Sequence, residues 1–151
     1  LVPLLRTINF RPVVFDDRPE YAASAAFPEA EAVLFGDFQN IQASIDVTPE
    51  DYVVIMTSGH LHDLEAEEQM LRRKTAYVGV IGSRSKIAYV SQRLQEAGIS
   101  EEAIASVHTP IGTPIRAVTP EEIAVSIAGE LIYERACRRD AAAEKSSKSK
   151  E

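Results

Sequence analysis

Residues 77–86 read Tyr77-Val78-Gly79-Val80-Ile81-Gly82-Ser83-Arg84-Ser85-Lys86. A short apolar run stops at a Gly-Ser turn, and two cations follow where a helical pattern begins. Buried parallel strands read as near-continuous apolar runs. A helix N-terminus offers unpaired N–H groups and a partial positive charge. Gly82 allows close backbone approach, Ser83 and Ser85 add hydroxyl donors, and Arg84 and Lys86 add charge. The segment therefore reads as a strand, an anion-holding turn and a helix; the plainer alternative is a connection whose cations are merely solvated.

Similar runs lie at residues 12–16, 32–35 and 52–57, and the fourth spans 76–81, all with β-branched character. Helical patterns separate them. Pro19 suits the first position of a short helix over 20–26. Phe38, Ile41 and Ile45 share one face of another, and Asp63 is placed to cap a helix over 64–74. Ile87, Val90, Leu94 and Ala97 line a helix ended by Gly98, and Ser100-Glu101-Glu102 begins a short one. Thr119-Pro120-Glu121-Glu122 is a capping box with proline at the first helical position, predicting a helix to about residue 136. Residues 138–151 are expected to be a disordered tail and 1–137 one domain.

Strands alternating with helices predict an α/β fold: a doubly wound, Rossmann-like, mostly parallel sheet with helices on both faces. Ligands in such sheets bind beyond the strands' carboxyl ends, here Asp16-Asp17-Arg18, Gly36-Asp37, Thr57-Ser58-Gly59-His60 and Gly82-Ser83-Arg84. The opening Leu1–Ile8 spacing reads as the end of an amphipathic helix, with Asn9 as its C-terminal residue. This predicts an N-terminally truncated fragment. If residues 12–16 are the second strand, the first, central one is missing, and upstream residues fill its place, another copy donates a strand, or the sheet order differs.

The 151 residues contain 45% hydrophobic and 26% charged side chains, ordinary for one globular domain. No apolar stretch reaches the ~20 residues of a membrane span. No basic-then-apolar leader is present, and the single cysteine, Cys137, suits a reducing compartment, so a cytoplasmic location is expected. Net charge is −7, with five cations and three anions in residues 138–151 and therefore −9 on residues 1–137. Such a body repels nucleic acid and anionic membrane, and neither is expected as a partner.

From Val13 to about Ala136 the chain resembles the C-terminal Rossmann-like domain of the XdhC/CoxI family, the accessory proteins of xanthine dehydrogenase. The likeness rests on Asp17-Arg18-Pro19-Glu20, Thr57-Ser58-Gly59-His60 with Asp63, the 77–86 stretch, His108-Thr109-Pro110-Ile111-Gly112, and Thr119-Pro120-Glu121-Glu122-Ile123-Ala124-Val125-Ser126-Ile127. Two features depart from the family pattern. A Gly-x-Gly-His-type turn after the first strand has no counterpart here, and Arg116 and Val118 stand where Gly and Glu are usual.

The resemblance implies a maturation factor for a molybdenum hydroxylase, one that binds molybdenum cofactor (molybdopterin), supports its sulfuration and delivers it. The partners implied are the apo-enzyme and a cysteine desulfurase, and a homo-oligomer is expected. Candidate ligand-binding residues are Gly82, Ser83, Arg84, Ser85, Lys86, Asp16, Asp17, Ser58, Gly59 and His60. An acid at a strand end can hold ribose hydroxyls, whereas Asp17 could equally cap the 20–26 helix. His60, His62 and Asp63 lack enough companions for a zinc set, so no metal is expected, and His108 reads as a packed loop residue. The alternative function is an NAD(P)-binding oxidoreductase domain, although residues 57–66 contain only Gly59 where a glycine-rich turn is wanted. No residue set predicts catalysis.

Overall fold

The computed structural model describes residues 1–148. The chain divides into two compact units, Val2–Ile111 and a second formed by Gly112 onward with Leu1.

In the first unit a short helix α1 (Val2–Thr7) ends as the sequence predicts, with Asn9 at φ 65° and the Phe10 N–H donating to the Leu5 carbonyl at 3.0 Å. Four strands follow: β1 (Val13–Asp16), β2 (Ala32–Phe35), β3 (Tyr52–Ile55) and β4 (Tyr77–Val80). β1 pairs with β2 and β3 with β4, both parallel, with Val13 opposite Ala32 and Tyr52 opposite Tyr77. Among the described residues these remain two separate pairs. The order 3-2-1-4-5 divides its strands in the same way, two on each side of one central position. The fold is a Rossmann-like α/β arrangement of parallel strands and helices.

Helices α2 (His60–Leu71) and α3 (Arg84–Glu96) follow β3 and β4, and α4 (Glu101–Ala105) comes next. The first core gathers Phe38, Ile41, Ile55, Met70, Val78 and Val80, while Val90, Leu94 and Ile99 form another on the α3 side. α2 serves both, because Ala66 and Met70 enter the first and Leu64 and Leu71 pack on the second. α3 closes with paired bonds, Gly98 N–H to the Gln95 carbonyl (2.9 Å) and Ile99 N–H to that of Leu94 (3.0 Å), and Gly98 at φ +82° makes the reversal. Beyond it, His108 pairs in parallel with β4: its N–H donates to Val78 and its carbonyl accepts from Val80, both at 2.9 Å.

Three expected elements differ. Residues 20–26 hold only a 3-10 turn at Ser24–Ala26, since so short a segment offers too little buried face to sustain a helix. The Phe38 region is likewise a 3-10 segment (Phe38–Ala43), broken at Asn40 and capped by the Asp37 side chain. α2 begins at His60 with Gly59 before it, so Asp63 lies inside the helix and does not cap it.

In the second unit α5 spans Pro120–Lys148. Its predicted capping box forms, with Glu122 N–H to Thr119 Oγ1 at 3.2 Å and Thr119 N–H to the Glu122 carboxylate at 3.1 Å. The preceding loop is fastened to the helix: Ser126 donates its hydroxyl to the Thr113 carbonyl (2.6 Å), and Glu130 accepts the Gly112 N–H (2.8 Å). The expected disorder from residue 138 is corrected over 138–148, which are helical. Ala141-Ala142-Ala143 has high intrinsic helicity, and no Gly or Pro interrupts the path after Gly129. Residues 149–151 lie outside the described residues.

Candidate functional site

At the C-terminal end of β4 the chain turns through Gly82 into α3, and Ser83 caps that helix by accepting the Lys86 N–H at 3.4 Å. The Ser83 and Ser85 hydroxyls are 3.1 Å apart, and both side chains are exposed. Arg84 is exposed as well. The first turn of α3 thus presents a guanidinium, two hydroxyls and the positive end of a 13-residue helix to solvent.

Lys86, a candidate phosphate ligand in the sequence, is only partly exposed. Its stem crosses Gly82, where an added Cβ would come within 3.3 Å of Lys86 Cδ. Its ammonium turns inward onto Asp63, whose side chain is fully buried. Thr57 directs its hydroxyl toward the Asp63 carboxylate and the Gly59 carbonyl, the latter 2.9 Å away, tying the β3–α2 turn to the same pair. One helical turn further on, Glu67 is buried beside them, and burial together with the Asp63 charge raises its pKa to about 7.

Two spaces meet at Lys86. One is a small cavity of about 20 Å³, whose polar lining includes Asp63, Glu67, Lys86 and Thr109. The other is an open cleft of about 310 Å³ lined by His60, Ser85, Lys86 and Tyr89. The His60 and Tyr89 rings stand edge to face in it, with centroids 5.9 Å apart. The predicted residues His60, Ser85 and Lys86 therefore come together. Tyr89 has no signal in the sequence beyond its place one turn after Ser85. Ser58 is exposed and Gly59 precedes α2, both in the turn leading to His60.

The acids at the end of β1 serve other partners. Arg18 grips both oxygens of Asp16, with Nε and Nη2 each at 2.8 Å, and its own N–H donates to the same carboxylate at 2.9 Å. Those hydrogen bonds hold the Asp16 pKa below the ordinary carboxylate value. The guanidinium also lies 4.2 Å from the centre of the Tyr21 ring. Asp17 lies 3.5 Å from His62 Nε2, while His62 Nδ1 lies 3.0 Å from Glu65 and the imidazole stacks on Phe38 at 4.8 Å. His60, His62 and Asp63 thus face three different sets of partners. The His108 ring packs against Tyr77, with centroids 4.5 Å apart.

Three known proteins are similar to this chain. A protein of Escherichia coli (strain K12) called "Uncharacterized protein YqeB" is 32% identical over 126 residues, 83% of this chain and 23% of that protein. A protein of Bacillus subtilis (strain 168), named as a probable xanthine dehydrogenase subunit, is 28% identical over 135 residues, 89% of this chain and 39% of that one. A crystal structure described as a xanthine dehydrogenase from Bacillus halodurans superposes with a TM-score of 0.79 at 28% identity, over 91% of this chain and 39% of that one. The chain therefore spans well under half the length of each of these relatives. Residues 1–131 match the family described as the XdhC Rossmann domain, the family to which this chain belongs.

Proposed function

We propose that this domain serves the maturation of a xanthine dehydrogenase-type molybdenum hydroxylase, by holding molybdenum cofactor in the cleft between α2 and α3. The observation that carries this reading is the pairing of exposed Arg84, Ser83 and Ser85 at the start of α3 with the His60–Tyr89 rings in the adjoining cleft. Molybdopterin is flat at one end and anionic at the other. A guanidinium and helix N–H groups suit its phosphate, and aromatic edges and faces suit its pterin. The relatives named for xanthine dehydrogenase support the same context. Sulfuration and insertion would follow on contact with a cysteine desulfurase and the apo-enzyme, with a homo-oligomer as the working form.

The NAD(P) reading is weaker. In dinucleotide-binding domains an acid at the end of the second strand holds ribose hydroxyls. Here Asp16 has both oxygens on Arg18.

Binding to the full-length protein that carries this domain tests the proposal. Equilibrium dialysis with molybdopterin should show uptake, and Arg84→Ala should weaken it about tenfold or more. Because Arg84 is exposed, the thermal midpoint should hold. Saturable quenching of NADPH fluorescence without molybdopterin uptake would sink the proposal in favour of the dinucleotide reading.

A further inference from the structure

Glu67 is 5% exposed, faces the small cavity and has neither a hydrogen bond nor an ion pair among the described residues. The titratable groups lining that cavity are Asp63 and Glu67 from α2 and Lys86 from α3. The loop at Thr109 adds only a hydroxyl, itself buried without a partner. Three charges for one ion pair leave a surplus: with Glu67 ionised the chamber carries a net negative charge, and with Glu67 protonated it is neutral. Removing an uncompensated charge from water is expensive, so the chamber favours the proton.

Lys86 also lines the open cleft with Ser85 and His60. Its one positive charge is therefore divided between the carboxylates behind it and whatever anion sits in front. We propose that Glu67 is a buried proton-binding residue that sets how much of the Lys86 charge the cleft receives, so that protonation of Glu67 strengthens anion capture at the Gly82–Ser83–Arg84 turn. Glu67 touches no ligand in this scheme; it is a positioning residue acting through Lys86. The inference rests on the anion-binding reading of the cleft and adds a coupling that this reading does not require.

Sulfate is a suitable probe because it stays doubly charged throughout the neutral range. With the full-length protein, sulfate affinity should fall about fivefold or more between about pH 6 and about pH 8. In Glu67→Gln, a nearly isosteric change, the fall should be smaller by that factor. His60 lines the cleft in both proteins, so its contribution cancels in the comparison. Linkage requires the reverse effect too: saturating sulfate should raise the Glu67 midpoint, followed by carboxyl-carbon NMR, by about 0.7 pH unit for a fivefold coupling. A merely structural Glu67 would show no such movement. Equal pH profiles in the two proteins, or a Glu67 midpoint indifferent to sulfate, overturn the inference while leaving the anion site intact. Sulfate binding to neither protein at any pH overturns both.

Discussion

A carboxyl group is cheap to bury only while it keeps its proton, and Glu67 is buried where giving that proton up is costly. Its pKa is raised from the usual 4.5 to about 7, first by burial and then by the neighbouring Asp63 charge, with Lys86 opposing. The folded state thus holds this proton more tightly than the unfolded chain does, and linkage fixes the sign. The group costs nothing below the unfolded value, lowers stability progressively as pH rises from 4.5 to about 7, and takes its full toll above that. Glu67→Gln removes a titration that costs on the order of 3 kcal/mol. Urea unfolding should therefore find the variant more stable than wild type by roughly that amount near pH 8 and close to it near pH 4. Equal stabilities at the higher pH would show that Glu67 stays comfortably ionised.

The elements around the site were legible to different depths, for reasons of range. Strands of four residues and the starts of α3, α4 and α5 announce themselves through apolar runs and Ser or Thr caps within a few positions. The exit of α3 is equally local. Gly98 sits at φ +82° with nothing within 4 Å of where a Cβ would stand, so the backbone angle alone demands glycine. Gly98→Ala should cost about 1 kcal/mol, read as a lower thermal midpoint with the native spectrum intact. A neutral result would mean that the reversal relaxes out of the left-handed region. The Asp63–Lys86 pair was not legible in this way. Asp63 looks like a cap when read beside Leu64, and only the packing of α3 on α2 brings Lys86, 23 residues later, onto it. The bidentate hold of Arg18 on Asp16 lies only two residues apart, but Asp-x-Arg occurs in many solvated turns and nothing local singles this one out. The pairing of His108 with β4 has no signature in the sequence, because one bridging residue leaves no alternating pattern.

On the scale of the molecule, charge and length are distributed unevenly. The −9 carried by residues 1–137, within a total of −7, sets the exposed cation at the start of α3 against an acidic background. Anion capture there works against the surrounding field, which makes short-range hydrogen bonding the main source of affinity. The far end of α5 is a different exception. Residues 138–147 are exposed all round, whereas Ser126, Ile127, Ala128 and Leu131 in the same helix are buried. A helical segment that buries no face draws only on intrinsic propensity and near-neighbour pairs, which barely offset nucleation and fraying in water. Continuity with the buried first half removes the nucleation cost, so the extension is helical without contributing to the stability of the rest. A chain ending at Cys137 should therefore unfold at the same urea midpoint as the intact chain and lose helical circular dichroism in proportion to the residues removed. Amides beyond residue 138 in the intact chain should exchange far faster than those of Ile127 or Leu131. A loss of more than about 1 kcal/mol on truncation, or slow exchange out to residue 148, would mean that this segment is held by contacts beyond its own helix.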